Sequence, residues 1–236
     1  MRNGAPARII DGMSIDLDID RSPWSQPPTR WARTSAVVYD PFVALGERAG
    51  MRALRKELVG RARGRTLDIG SGTGLNLAHY PDDLDELVVA EPDPPMRARL
   101  EQRLRHHPRA ARVIDAPAER LPFADGSVDT VVSTLVLCTV DVPELALEEI
   151  VRVLRPGGQL LFIEHVLSDS PRLAAWQHRL VEPWRRFARG CHCDRATVPL
   201  IAASGLTLAD THEASWRAMP PIVRPLVVGR AVREQR

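Results

Sequence analysis

The run Thr66-Leu67-Asp68-Ile69-Gly70-Ser71-Gly72-Thr73-Gly74 sets three glycines at alternate positions behind a short apolar stretch. Glycine has no Cβ, so backbone in such a loop can come close to a ligand. A loop that follows a strand and opens toward a helix is also where open α/β sheets bind ligands, beyond the carboxyl ends of their strands. Two phosphate-binding readings fail on residue type. A dinucleotide fingerprint needs G-x-G-x-x-G, but Leu75 fills the sixth position. A P-loop needs Gly-Lys-Ser/Thr, and the only lysine, Lys56, lies upstream of the loop. Glu91 stands 23 residues after Asp68, at the end of a second apolar stretch, Leu87–Ala90. A carboxylate there can accept from both hydroxyls of a ribose. Asp68 is placed to orient the loop or to meet an ammonium. These residues suit a nucleoside that carries a positive group better than a pyrophosphate.

A second set of reactive side chains lies in the later half. His165 follows the apolar run Leu160–Ile163, and its imidazole is suited to taking a proton in a cleft or to hydrogen-bonding beneath a substrate. Glu164 precedes it. Strand alternation sends the two to opposite faces, so one of them is structural. Cys191-His192-Cys193 with Asp194 has C-x-C spacing and no second pair, short of the usual C-x₂₋₄-C zinc pattern, and no metal is expected there. Cys138 ends the fourth apolar run, where it can line a pocket. Asp93-Pro94-Pro95-Met96 follows the second strand and ends in Met, so it is not the Asp/Asn-Pro-Pro-aromatic motif, which follows a fourth strand.

Helices and strands must alternate to hold these groups together. Helical spacing runs from Ser35 to a stop at Gly60 and Gly64. Strands are expected at Thr66–Ile69, Leu87–Ala90, Ala111–Ile114, Val128–Ser133 (extended by Leu135–Leu137), Leu160–Val166, Leu206–Thr211 and Leu226–Val232. Helices are expected from Leu75, at Pro95–His106, at Pro143–Leu154 with Asp141 as cap and Pro156-Gly157-Gly158 as stop, at Trp176–Arg189 and at Thr197–Ala203. This order implies an α/β fold: a doubly wound, mostly parallel sheet whose last two strands make an antiparallel edge. Residues 1–33, with Pro6, Pro23, Pro27, Pro28, Trp24 and Trp31, read as a tail or a lid before a domain at 34–236.

Composition narrows the class. Among 236 residues, Lys+Arg 32 against Asp+Glu 30 leaves a net charge of +2, which removes the main argument for a nucleic-acid partner. The Arg-rich stretch Arg97–His107 reads as a solvated helix face. Three cysteines cannot form a disulfide framework for this length, and the first 20 residues carry no apolar signal core, so a cytoplasmic setting is expected. Val131–Val140 is too short and too rich in Ser and Thr for a membrane span. With one lysine, the basic residues are nearly all Arg, which suggests a GC-rich, bacterial coding sequence.

Four motifs in order resemble those of class I S-adenosylmethionine-dependent methyltransferases. They are Leu67–Gly74, Glu91-Pro92-Asp93, Ala118–Asp129 and Arg152-Val153-Leu154-Arg155-Pro156-Gly157-Gly158. The resemblance implies a Rossmann-like seven-stranded sheet with S-adenosylmethionine across strands one, two and four. Its contacts would be Asp68, Gly70, Ser71, Gly72, Thr73, Gly74, Glu91, Pro92 and Leu135, with adenine near Ala118 and Glu119. Many relatives carry an Asp just before that Ala; here the residue is Pro117.

The remainder of the chain is similar to the thiol S-methyltransferases, the alkyl-thiol enzymes of animals and bacterial enzymes of dithiol natural products. The matching pieces are Leu135–Val140, Glu164-His165-Val166, Trp176-Gln177, Glu182-Pro183-Trp184, Gly190-Cys191 with Arg195, Trp216, and Arg224-Pro225 with Gly229–Val232. This second resemblance implies a small thiol acceptor bound by Cys138, Trp184, Cys191, Arg195 and Trp216, with His165 as catalytic residue. It also implies a role in detoxification or antibiotic biosynthesis. Animal members begin with a hydrophobic anchor, which is absent here. The competing expectations are an O- or C-methyltransferase of quinones or phenols, a phospholipid N-methyltransferase, and a cofactor-binding regulator without catalysis. Leu75 in place of the third fingerprint glycine predicts that reduced nicotinamide dinucleotide does not bind; tight binding in a fluorescence titration would overturn the reading of the loop.

Overall fold

The computed structural model describes residues 27–235 and the backbone of 8–10 and 13–15. Seven strands form the main sheet: β1 (Arg65–Ile69), β2 (Glu86–Ala90), β3 (Arg112–Ile114), β4 (Val128–Thr134), β5 (Leu154–His165), β6 (Leu206–Ser215) and β7 (Pro225–Arg233). Their spatial order is β3-β2-β1-β4-β5-β7-β6. The first five are parallel; β7 runs antiparallel between β5 and β6, with Phe162 opposite Gly229. Upstream, Arg8–Ile10 pairs with Met13–Ile15 as a separate antiparallel ladder.

The central strands are apolar on both faces, as a sheet covered on both sides requires. Leu67, Ile69, Val88, Val131, Leu160 and Phe162 are fully buried on one side, and Val89, Val132, Leu161 and Ile163 on the other. Among the described residues six α-helices pack around the sheet: α1 (Arg30–Gly46), α2 (Arg52–Val59), α3 (Pro94–Arg105), α4 (Pro143–Val153), α5 (Pro171–Phe187) and α6 (Thr197–Ala203). Among the described residues no helix is long and apolar enough to cross a membrane.

The fold is the one expected, but several elements differ locally. The first helix starts at Arg30, before Ser35, because Thr29 caps it with a side-chain oxygen that accepts from Ala32 N at 3.1 Å. It does not run unbroken to Gly60: Gly50 at φ 146° kinks it. Leu75–Tyr80 holds only a single 3-10 turn at Leu77–His79, since few residues separate Gly74 from Pro81 and a helix needs a longer nucleus. Val142, not Asp141, occupies the N-cap of α4, with Pro143 at its first position. Pro156-Gly157-Gly158 is not the stop of that helix. The chain has already entered β5 at Leu154, through an irregular pairing with Val128.

Strand β4 ends at Thr134 rather than running through Leu137, because Leu135 takes φ 62° and turns the backbone away. Such a conformation is uncommon for a non-glycine side chain and persists only where its surroundings hold it. Here the holder is Glu164, fully buried on β5. Its Oε1 accepts from Ser133 Oγ at 2.7 Å, Val136 N at 3.0 Å and Leu137 N at 3.1 Å, and its Oε2 accepts from Cys138 N at 3.1 Å. Four donors converge on one carboxylate. Glu164→Ala leaves them buried and unpaired, at about 1–3 kcal/mol each if nothing rearranges. Urea unfolding is expected to show a loss of more than about 3 kcal/mol, with Glu164→Gln losing less because its amide oxygen still accepts. An unchanged midpoint for Glu164→Ala would remove this carboxylate as the anchor of the turn.

Candidate active site

The carboxyl ends of β1, β2, β4 and β5 open onto a cavity of about 430 Å³. Its first half is built by the glycine loop and the acid after β2. Gly70, Gly72, Glu91, Pro92, Ala118, Glu119 and Leu135 all line it. Gly72 sits at φ 57°, and a Cβ there would meet nothing nearer than the Gly70 carbonyl at 4.0 Å, so the space above it is open for a ligand. Glu91 Oε2 accepts from Gly72 N at 2.7 Å, and Oε1 accepts from Asp93 N at 2.9 Å. Each oxygen keeps a further lone pair for a ligand hydroxyl. Burial pushes Glu91 up to about 7, against the pull of these backbone donors.

Five residues expected at the ligand stand behind this wall. Asp68 is buried and does not reach the cavity; Asn76 Nδ2 donates to both of its oxygens at 3.3 Å. Asn76 in turn accepts from Arg55 at 2.8 Å, and Arg55 pairs with buried Glu47 at 3.0 Å. Asp68 therefore braces the loop from beneath, and burial raises it to about 6. Ser71 and Thr73 also turn inward. Ser71 Oγ donates to the Asp68 carbonyl at 2.9 Å, and Thr73 Oγ1 donates to Asp40 at 2.6 Å. A Cβ on Gly74 would strike Leu100 and Leu77 at 2.8 and 2.9 Å, so that glycine serves packing. Cys138 is fully buried behind Cys191.

The second half of the cavity is largely aromatic. Trp31, Tyr39 and Phe42 of α1 face Trp184 and Phe187 of α5, with Trp216 and His165 in the wall. Trp31, Phe42 and Trp184 each meet the Phe187 ring at about 5.6 to 5.7 Å between centroids. His165 stacks on Trp216 at 5.7 Å. It lies opposite in direction to Glu164, as strand alternation requires, so Glu164 is the structural member of the pair. Burial drives His165 down to about 4, only partly opposed by the Pro225 carbonyl, so the ring is neutral near pH 7. Its Nδ1 has no hydrogen-bond partner among the described residues. Cys191 lines this half, whereas Arg195 does not. Arg195 is spent on the Leu137 and Val140 carbonyls at 2.6 and 2.8 Å and braces the same turn as Glu164. Trp24 lies outside the described residues.

Sequence reasoning missed one contact that closes the site. Arg189, at φ 55° after α5, makes a two-pronged ion pair with Asp93, its Nη2 donating at 3.0 Å to Oδ1. Both residues line the cavity, and the pair joins the acid-bearing loop after β2 to the segment that carries Cys191. A separation of 96 positions leaves no local signal for it.

Comparison with known proteins gives the family. Residues 67–162 match the model of the methyltransferase domain. The human thiol S-methyltransferase TMT1B is 33% identical over 200 residues, covering 78% of this chain and 80% of its own. The human TMT1A is 33% identical over 171 residues, covering 71% of this chain and 70% of its own. This chain belongs to that family of S-adenosylmethionine-dependent methyltransferases. Among solved structures, a methyltransferase from Thermotoga maritima superposes with a TM-score of 0.65 at 20% identity, covering 86% of this chain and 99% of its own. The [4+2]-cyclase SpnF gives 0.62 at 19% identity, covering 79% and 80%. Those two likenesses are of fold. The open space over Gly72 and the acid at the end of β2 fit S-adenosylmethionine, the methyltransferase's cofactor.

Glu91→Ala is expected to weaken S-adenosylmethionine binding by about 1.5–3 kcal/mol, the worth of a hydrogen bond to a charged group. The cationic ligand favours the ionised carboxylate. Affinity of the unmodified protein is therefore expected to rise as pH rises through about 7 and to fall below it. Calorimetric titration checks both. Equal affinity in the Glu91→Ala protein would exclude the contact, and a flat pH profile would exclude its titration.

Proposed function

We propose that the methyltransferase transfers a methyl group from S-adenosylmethionine to the sulfur of a small apolar thiol or dithiol, giving a thioether and S-adenosylhomocysteine. Such capping removes a reactive nucleophile or completes a secondary metabolite. When bound, S-adenosylmethionine supplies a methyl carbon made electrophilic by its sulfonium. Gly70, Gly72, Glu91 and Pro92 hold the nucleoside, and Ala118 and Glu119 take the adenine. Leu135 lines the same cavity. The aromatic wall of Trp31, Phe42, Trp184, Phe187 and Trp216 excludes water and keeps the acceptor in line, and such positioning supplies most of the rate. Trp31 is the residue of segment 1–33 that lines the cavity among the described residues.

The observation that carries the sulfur reading is the weakness of the one imidazole at the acceptor end. A ring that holds a proton only below about 4 is a poor base for a phenol, whose reference pKa is about 10. A thiol, near 8.5, exists as a few per cent thiolate at pH 7 without help. The chain's identity with thiol S-methyltransferases, over more than two thirds of each protein, supports the same acceptor. His165 then positions the acceptor and deprotonates it little.

Assays at equal concentration should show an alkyl thiol methylated and a matched phenol inert. For the unmodified protein, kcat/KM is expected to rise with pH toward the pKa of the free thiol, with no inflection near 6.5. His165→Ala is expected to lower kcat/KM by up to about 100-fold, the cost of a misplaced acceptor, and to keep that deficit at high pH. Recovery at high pH would make His165 a base after all. Methylation of a phenol, quinol or aminophospholipid headgroup with all thiols inert would replace the acceptor.

A further inference from the structure

Three soft or nitrogenous donors that are far apart in the chain meet at the acceptor end of the cavity. Cys138 Sγ lies 4.0 Å from Cys191 Sγ, and the donor atoms of Cys138, His165 and Cys191 all fall within 4.8 Å of one another. We propose that these three side chains bind a zinc-class divalent cation, whose fourth position faces the cavity and takes the acceptor thiol. The thiol part of this inference rests on the function proposed above.

The geometry is close to what such an ion demands. Zinc–sulfur bonds of about 2.3 Å in a tetrahedron place two thiolates about 3.8 Å apart. Three protein ligands with one open position are the pattern of a catalytic rather than a structural site. The donors are soft sulfur and imidazole, with no carboxylate among them, which selects against magnesium and calcium. The cysteines are held in advance of any ion. Cys138 N is fixed by Glu164 at 3.1 Å, and the Cys138 carbonyl accepts from His192 N at 2.7 Å, which locks the Cys191 segment against the turn.

A second observation is independent of the sulfurs. His165 is 3% exposed and its Nδ1 has no partner among the described residues, where buried polar atoms are almost always satisfied. The charges also close. Cys138 and Cys191 are both buried, and two thiolates side by side there need a cation between them. Two thiolates, a neutral imidazole and a divalent cation sum to zero, which suits an apolar cavity.

The proposed ion would hold and activate the acceptor sulfur. Both cysteine protons leave to solvent when the cation binds. The acceptor's S–H proton leaves likewise as its sulfur takes the open position, and the sulfur stays nucleophilic. A sulfur lone pair forms the new S–CH3 bond while the carbon–sulfonium bond breaks, its electron pair remaining on S-adenosylhomocysteine. The cation keeps its oxidation state, and the neutral thioether is a weak ligand that departs.

The test is direct binding. The full chain, stripped by a chelator under reductant, is titrated with Zn2+ against a colorimetric chelator and with Co2+ by absorption. Uptake of one ion per chain and thiolate-to-cobalt charge-transfer bands are expected. Cys138→Ser and Cys191→Ser should each lose more than the about 10–100-fold that removal of a mere supporting partner costs. Cys193→Ser should bind as before. Retained S-adenosylmethionine affinity by calorimetry shows that the variants are folded. No stoichiometric binding, or loss with Cys193→Ser alone, overturns the site. Full thiol methylation by metal-free protein overturns the inference while leaving the thiol acceptor standing. Zinc binding that depends on Cys138 and Cys191, with every thiol inert, upholds the ion and overturns the acceptor.

Discussion

The carboxylate of Glu164 is the constraint on which the site depends. A buried anion is costly unless its lone pairs are filled, and here a hydroxyl and three consecutive backbone N–H groups fill them. To deliver those three N–H groups the chain must turn sharply after β4, and Leu135 takes up the left-handed conformation that allows it. One satisfied carboxylate thus sets the position of Leu135 in the cavity wall and of Cys138 beside Cys191. Because it lies on β5 beside His165, it also fixes which face the imidazole presents.

The two halves of the cavity are held by different physics. The glycine loop rests on a buried polar chain that runs from Glu47 through Arg55 and Asn76 to Asp68. Every member is paired, so the network specifies a loop shape and leaves no orphan charge. The acceptor half has few such bonds. It is made of rings from α1 and α5 that meet at Phe187, and several of these remain partly open to solvent, Trp31 at 40% and Phe187 at 46%. Non-directional packing of this kind tolerates ligands of varied shape, whereas the hydrogen-bonded glycine-loop half keeps one shape. The Arg189–Asp93 ion pair is the point where the adaptable half is fastened to the fixed one.

Burial governs the chemistry as much as residue identity does. The same removal of water that raises Glu91 to about 7 lowers His165 to about 4. An acid made less acidic stays responsive to a cationic ligand, and a base made less basic gives an oxygen acceptor less help. The sulfur acceptor proposed above needs little deprotonation and suits such apolar surroundings.

The sequence alone determined the sheet, the cofactor loop and the acid after β2. Each is written in signals a few residues long: apolar runs of strand length, alternating glycines behind one of them, and a carboxylate at the end of the next. Those signals act locally, through backbone sterics and strand alternation, so they can be read without knowing what lies across the fold. Asp68, Ser71 and Thr73 lie in the expected loop with their side chains turned onto Asn76, onto the Asp68 carbonyl and, from distant α1, onto Asp40. Arg195 was drawn to the acceptor by its motif, but two carbonyls of the β4 turn claim it first. Only the tertiary structure could decide that Cys138, His165 and Cys191 share one point in space. They come from a turn, a strand end and a loop after a helix, and nothing in their spacing records the sheet order and helix crossing that bring them together.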